Sequence, residues 1–144
     1  MATAPQLPLF FNDLVPLSTQ QHADWKLQPQ DKAPFMVGNH AVPITVDEFI
    51  VAGRVYPIVF SAGDNSVPII LMGLNEGMNM YVNDDGTLKQ PVYVPAYVRR
   101  YPFLLAKLRN DSDELSLCFD PTANGIGADV DGEPLFADGQ PSEI

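Results

Sequence analysis

The sequence predicts an α+β fold: a mixed, mainly antiparallel sheet built from two helix-hairpin units, with short helices packed against it. Two Tyr-Pro pairs, Tyr56-Pro57 and Tyr101-Pro102, are the main observation, since each lies between a segment of helical spacing and an apolar run. Proline biases the residue before it away from the α region, so a helix ends at each pair and an extended strand follows. The order helix, Tyr-Pro, strand, turn, strand therefore occurs twice along the chain.

The length and composition indicate one globular domain. With 144 residues, of which 46% are hydrophobic and 18% charged, the chain can bury a core without metals or disulfides. We expect three parts: an extended N-terminal arm over residues 1–34, an α+β core over 35–120, and an acidic Gly/Asp/Pro-rich loop and tail over 121–144. Trp25 is expected to anchor the arm where it packs on the domain.

The first helix-hairpin unit follows a short strand. The run 35–42 is apolar enough for a strand, and Pro43 is expected to end it because proline cannot donate to a ladder. Thr45 and Glu48 have the spacing of a capping box, in which each side chain satisfies an unpaired backbone N–H at a helix start. The sequence therefore predicts a helix from Val46 to about Val55.

Two strands complete this unit. The run 57–60 is predicted as a strand, and the polar residues 61–66 as a turn. The run 67–74 is so continuously apolar that we expect a central strand covered on both faces. A connector with a hairpin signal at Asp85-Gly86 leads to the second unit.

The second unit has the same order of elements. Pro95 is expected to open a short helix over 94–100, which the second Tyr-Pro pair ends. The sequence then predicts a strand over 103–108, a turn over 110–113 and a returning strand over 114–119.

Charge and targeting features narrow the class of protein. The formal net charge is −10, from 18 acidic and 8 basic residues, so nucleic acid and a bare membrane surface are poor partners. No apolar run approaches the length that spans a bilayer, so membrane insertion is not expected. Cys118 lies in an apolar run and is predicted to be a small buried hydrophobe. The N-terminus lacks a basic segment and a long apolar segment, which predicts a cytoplasmic protein and leaves signal-independent export to the cell surface open.

Five runs of the sequence carry a family pattern: 56–60, 71–74 with 77–82, 93–103, 117–120 and 132–136. Its most specific part is Tyr-Val-Pro-x-x-x-Arg-Arg-Tyr-Pro-Phe, which begins at Tyr93. From about Leu14 to Gly139 the chain resembles the SapC family of bacterial proteins. The resemblance implies a relation to a surface-layer component and brings no assigned activity. Family members usually continue into a further helical region, so a short member and a fragment that exposes an apolar patch are both open.

Four residues are the candidate binding site: Tyr97, Arg99, Arg100 and Tyr101. Two guanidinium groups flanked by tyrosines at a helix end can bind a carboxylate, a phosphate or a sugar. The alternative is that both arginines stabilise the helix C-terminus and pair with the acidic tail. We therefore expect a non-catalytic binding or assembly domain that recognises a protein, a glycan or another anionic ligand, with homo-oligomerisation open.

The competing hypothesis is a small-molecule enzyme or enzyme-accessory protein with a site between the two helix-hairpin units. Arg99 would orient the substrate there, and His40 or Asp120 would move a proton. Neither histidine has a partner at metal or triad spacing, and no serine lies in a Gly-x-Ser-x-Gly elbow. We therefore expect His40 to be structural and Asp120 to cap the loop after it, with no catalytic residue, cofactor or metal. The fragment Asp129-Val130-Asp131-Gly132 lacks the other ligands of a calcium loop and is predicted as a turn.

Overall fold

The computed structural model describes residues 7–109 and 111–143. Most of its regular structure is in short strands, which are β1 (Val15–Pro16), β2 (Lys26–Leu27), β3 (Ala41–Pro43), β4 (Ile58–Phe60), β5 (Pro68–Leu71), β6 (Phe103–Ala106), β7 (Ser116–Phe119), β8 (Ile126–Gly127), β9 (Glu133–Pro134), β10 (Phe136–Ala137) and β11 (Gln140–Pro141). The helical segments are α1 (Phe49–Ala52), α2 (Ala96–Arg99) and the 3-10 turns Pro34–Met36 and Val46–Glu48. The predicted turn at Asn110 and the ends of the predicted arm and tail lie partly outside the described residues.

The predicted α+β fold with two helix-hairpin units is wrong. Strand residues make up 24% of the structure and helical residues only 10%. Both predicted hairpins form, but they lie in different sheets. In the first sheet β5 also pairs with β3, and in the second sheet β7 also pairs with β1. The repeated order in the sequence therefore does not correspond to two halves of one sheet.

The first predicted helix is much shorter than its sequence pattern indicates. It begins at the capping box as a 3-10 turn, continues as α1 and ends at Ala52, not near Val55. The next residue is Gly53, and the chain then turns, with the amides of Val55 and Tyr56 both donating to the carbonyl of Ala52. Branched residues such as Ile50 lower helix propensity, which leaves the segment little tendency to extend beyond the cap.

The chain divides into two compact units. The first contains residues 1–30 and 101–144, and the second contains the intervening residues 31–100. Strands β1 and β2, from the predicted arm, and β8 to β11, from the predicted tail, all belong to the first unit. The ends of the chain thus contribute strands to the same unit.

The second unit is organised around the antiparallel sheet β3-β5-β4. Ile70 lies opposite Val42 on one side and Ile58 on the other, and both Ile70 and Val42 are fully buried. The prediction that this apolar run forms a central strand is confirmed. The strand is shorter than predicted, however, and Leu74, which was expected to be covered, is 83% exposed.

The connector of this unit contains the predicted hairpin. Val82 and Leu88 form an antiparallel bridge around a tight turn at Asp85-Gly86. Gly86 has a φ of +84°, and a Cβ there would lie 2.6 Å from the backbone nitrogen of Pro34. The position therefore needs glycine for its backbone angle and for its close contact.

The first unit holds its core between several very short strands. Its sheets are β1-β7-β6 and β8-β2-β9, with β10 and β11 as a separate pair. Phe119 is fully buried and contacts the rings of Trp25 and His22 in edge-to-face geometry. The core cluster and the apolar residues packed against it are Phe119, Ala123, Ile126, Leu135, Val15, Leu17, Trp25, Leu27, Tyr101, Phe103 and Phe136. Cys118 is completely buried, as predicted, and burial raises the pKa of its thiol.

One hairpin of the first unit has an apolar face that is only partly covered. Phe103 lies opposite Phe119 in the core, and two residues further along the hairpin Leu105 lies opposite Leu117. Because side chains two residues apart share a face of a sheet, the leucine pair continues the core face. Both leucines are exposed.

No helix within the described residues is both long and apolar enough to cross a bilayer.

Candidate functional site

The candidate site is the Arg–Tyr cluster, which we define as Tyr93, Tyr97, Arg99 and Arg100, all in the second unit. The predicted short helix at 94–100 is present as the single turn α2, with Pro95 at its N-cap. Tyr97 and Arg100 are three residues apart on this turn, so their side chains lie on the same face. Tyr93 precedes the turn, and Arg99 is its last residue.

Each arginine of the cluster lies over a tyrosine ring. The Cζ atom of Arg100 is 4.0 Å from the centroid of the Tyr97 ring, and that of Arg99 is 5.9 Å from the centroid of the Tyr93 ring. Such cation–π contacts contribute about 0.5–1 kcal/mol each at exposed sites. The rings therefore restrict where the two guanidinium groups can point.

The two guanidinium groups lack a carboxylate partner in their own unit. Within the described residues of that unit, the ion pair is between Lys32 and Asp85, and no carboxylate lies within ion-pair distance of Arg99 or Arg100. Arg99 is exposed. The Nε atom of Arg100 is buried and has no hydrogen-bond acceptor. Among the described residues of this unit, neither guanidinium charge is therefore neutralised by an ion pair.

The buried carboxylate of Glu48 accepts hydrogen bonds from Tyr93 and from the first residue of α2. Glu48 Oε2 accepts hydrogen bonds from the amide and the hydroxyl of Thr45, at 2.8 and 3.0 Å, which confirms the predicted capping box. Glu48 Oε1 accepts from the Tyr93 hydroxyl and from the backbone N–H of Ala96, each at 2.8 Å. One side chain therefore joins the start of the first helical segment to the start of α2 and to the ring beneath Arg99.

Tyr93 is held at its backbone as well as at its hydroxyl. Its carbonyl accepts a 2.8 Å hydrogen bond from the hydroxyl of Tyr56, which is buried against the Tyr81 ring. Burial, with the nearby Tyr81 phenol, raises the pKa of Tyr56 to about 12, so Tyr56 remains a donor throughout the physiological range. The bond to the Glu48 carboxylate raises the pKa of Tyr93, and Arg99 opposes that shift.

The ionisation of Glu48 predicts how stability depends on pH. Burial on its own would raise the pKa of Glu48, but the hydrogen bonds from Thr45, Ala96 and Tyr93 outweigh it and hold the pKa below the usual value. A carboxyl whose pKa is lower in the folded state contributes stability above its unfolded pKa, which is about 4.3 for glutamate. That contribution is lost as the pH falls through the folded value.

We therefore expect the urea midpoint to be level above about pH 5 and to fall below about pH 4. In Glu48→Gln, whose side chain does not titrate in this range, the fall should be smaller than in the unsubstituted chain. Equal falls in the two proteins, measured by urea unfolding between neutral pH and pH 3, would show that folding does not lower the pKa of Glu48.

Tyr101, the fourth predicted binding residue, belongs to the first unit. Its ring packs edge-to-face on Phe11 and Phe10, with centroid distances of 5.3 and 6.5 Å. It is half-buried against the core cluster of that unit. Burial and the nearby Asp120 carboxylate raise the pKa of its phenol. These contacts give Tyr101 a packing role within the first unit.

The residues of the competing enzyme hypothesis have structural contacts. Asp120 is fully buried: one oxygen accepts from the amide and hydroxyl of Thr122, and the other accepts from the amide of Asn12 at 2.7 Å. Burial would raise the pKa of Asp120, but these bonds outweigh it and lower the pKa. The prediction that Asp120 caps the following loop is confirmed. His40 is in the other unit, where its carbonyl accepts from Met72 and Gly73.

The ring of His22 is held by a hydrogen bond and by aromatic contacts in the first unit. The Nδ1 atom of His22 accepts the backbone N–H of Ser18 at 3.0 Å, and the ring lies between Trp25 and Phe119. Within residues 7–109 and 111–143, no group of three or more His, Cys, Asp or Glu side chains could hold a metal ion.

Two residues that shape the cluster were not predicted as part of it. Glu48 was assigned only to its capping box, and Tyr93 only to the family pattern. Local spacing does not reveal their contact, because the two residues are 45 positions apart. The available signal was the pair of tyrosines before and within the helix that carries the arginines.

The family comparison agrees with the pattern in the sequence. The SapC family model matches residues 17–144, and this match includes the whole Arg–Tyr cluster. No curated protein and no solved structure matches the chain. Because the family match extends over nearly the whole sequence, the chain belongs to the SapC family.

Proposed function

We propose that this chain is a non-catalytic binding or assembly domain in which Arg99 and Arg100 recognise carboxylate groups of a partner protein. The observation that carries the proposal is that both guanidinium groups lie over tyrosine rings and have no carboxylate partner in their own unit. A guanidinium presents N–H donors in a planar fork that matches a carboxylate. A ring against one face leaves the donor edge available for that contact.

The two arginines are suited to two contacts and not to one. Neighbouring residues of a helix do not face each other, and these two lie over different rings. A small anion would therefore engage one guanidinium at a time. A partner surface that carries two separated carboxylates can bind both guanidinium groups at once.

The overall charge favours a protein over an acidic glycan. The chain carries a net charge of −10, so its long-range field repels a polyanion and attracts a partner of net positive charge. A basic protein that presents a few carboxylates would be attracted by the long-range field and could still bind both arginines. Assembly within a surface layer, which the family resemblance implies, is one form of this function.

We expect Arg99→Ala/Arg100→Ala to abolish partner capture, because it removes both guanidinium forks. Its melting temperature should fall by only a few degrees, since the substitution removes two cation–π contacts and no ion pair among the described residues of that unit. The measurement is affinity capture from a native lysate of the source organism, followed by identification of captured proteins and by thermal unfolding of each variant.

The matched control is Lys107→Ala/Arg109→Ala, which removes the same charge from two exposed residues that already form ion pairs with Asp113 and Asp111. This control should retain the captured protein. Capture that survives loss of Arg99 and Arg100, or is lost equally in the control, contradicts the proposal. Binding to an immobilised acidic polysaccharide that depends on Arg99 and Arg100, without any captured protein, would replace the protein partner with a glycan.

A further inference from the structure

Glu48 contacts the Arg–Tyr cluster through a side of its carboxylate that the capping box does not use. Oε2 satisfies Thr45, and Oε1 accepts from Tyr93 and Ala96. The helix start needs only the first of these oxygens. The second is fully occupied by the residue whose ring lies under Arg99 and by the first residue of the turn that ends at Arg99.

We propose that Glu48 is the positioning residue of the binding site and that it acts through the Tyr93 hydroxyl to set the orientation of Arg99. The inference rests on the proposed function for its purpose, but the contact it describes can be measured without a partner. Glu48 is only 6% exposed, so it does not itself meet a ligand. Its influence reaches the surface through Tyr93, whose hydroxyl donates to Glu48 and whose backbone carbonyl accepts from Tyr56.

The alternative is that Glu48 stabilises the fold alone, with no specific effect on Arg99. The cluster itself separates these two possibilities. Arg99 lies over Tyr93, whose hydroxyl bonds to Glu48, whereas Arg100 lies over Tyr97, which shares a helical turn with its arginine. A general loosening of the unit would alter both arginines, while loss of positioning would alter only Arg99.

The choice of variants follows from the two oxygens. Tyr93→Phe keeps the ring beneath Arg99 and removes the hydroxyl, and with it the bond to Glu48 and the direct interaction of that hydroxyl with Arg99. Glu48→Gln keeps the size of the side chain but replaces one carboxylate oxygen with an NH₂ group, which cannot accept the hydrogen bonds made on that side. Thr45→Val is the matched control, since it removes the Thr45 hydroxyl bond to Oε2 and leaves Oε1 and its partners intact.

The first measurement is the Nε–Hε resonance of each arginine in ¹⁵N-labelled full-length protein, assigned with Arg99→Lys and Arg100→Lys. Tyr93→Phe and Glu48→Gln should both shift the Arg99 resonance and leave that of Arg100 in place. Thr45→Val should shift neither resonance, although it weakens the helix cap. An Arg99 resonance that stays unchanged in Tyr93→Phe overturns the proposal, and this variant decides the question even where Glu48→Gln does not fold.

The second measurement is binding of a synthetic peptide with two glutamates flanked by lysines, against the same peptide with glutamines. Tyr93→Phe and Glu48→Gln should each weaken binding of the glutamate peptide about tenfold, and Thr45→Val should not. If the Arg99 resonance shifts as expected but Arg99→Ala/Arg100→Ala binds the peptide as well as the unsubstituted chain, positioning is supported and the proposed function fails. Equal shifts of both arginine resonances overturn positioning.

Discussion

Replacing Glu48 by alanine is expected to lower the free energy of unfolding by about 3–5 kcal/mol, because hydrogen bonds to a buried charged group contribute about 1.5–3 kcal/mol each and several are lost together. The substitution leaves the amide of Thr45, the amide of Ala96 and the hydroxyl of Tyr93 without their acceptor. Water can replace only part of what the carboxylate supplied. Urea unfolding at neutral pH measures the difference directly.

The neighbouring acid provides the control for this prediction. Asp47 lies in the same first turn but is exposed, and Asp47→Ala should change the free energy of unfolding by no more than about 0.5 kcal/mol. A similar loss in both variants would mean that acidic charge at the helix start matters and the buried contacts do not. A loss below about 1 kcal/mol in Glu48→Ala would contradict the role assigned to the carboxylate.

Replacing Asp120 by alanine is expected to have an effect of similar size, about 3–5 kcal/mol, in the other unit. Asp120 is completely buried and joins two distant parts of the chain, since it accepts from Thr122 beside it and from Asn12, which lies 108 positions earlier. Its loss should also expose the Asn12 amide to solvent exchange. Urea unfolding and hydrogen exchange of that amide test the two parts of the prediction.

Thr122→Val separates the two parts of this prediction. It removes the hydroxyl bond to Asp120 and keeps the backbone bond and the bond from Asn12, so it should cost about 1.5–3 kcal/mol, less than Asp120→Ala, and leave the Asn12 amide protected. If Asn12 stays protected in Asp120→Ala, then the carboxylate is not what holds the N-terminal segment in place.

The capping box shows how far local sequence could predict this fold. Thr45 and Glu48 are three residues apart, and the spacing alone predicted their reciprocal capping box. Local sequence patterns also predicted the tight turn at Gly86 and the central strand around Ile70. In each case the determining residues are neighbours in sequence or share one periodic run.

The fold class was wrong because it depended on how strands from distant segments combine. The two hairpins were predicted from local patterns, but their third strands, β1 and β3, lie outside the repeated segments. Periodicity identifies a strand and does not name its partner. The exposure of Leu74 is a related case, since its apolar neighbours indicated burial while the chain had already left the sheet.

The candidate site could be predicted only in part. Arg99, Arg100 and Tyr97 were identified from composition at a helix end, and the structure places each arginine over a ring. Tyr101 was grouped with them because it is adjacent in sequence, but its ring packs within the other unit. The contribution of Glu48 required coordinates, since its second oxygen meets residues 45 and 48 positions further along the chain.

The pairing of β1 with β7 also determines the order in which the two units can be completed during protein synthesis. Val15 pairs with Phe119, and every residue from 31 to 100 is translated between them. The ribosome therefore delivers the whole second unit before the partner strand of β1 exists. Until Phe119 has been added, β1 lacks the strand with which it pairs in this fold.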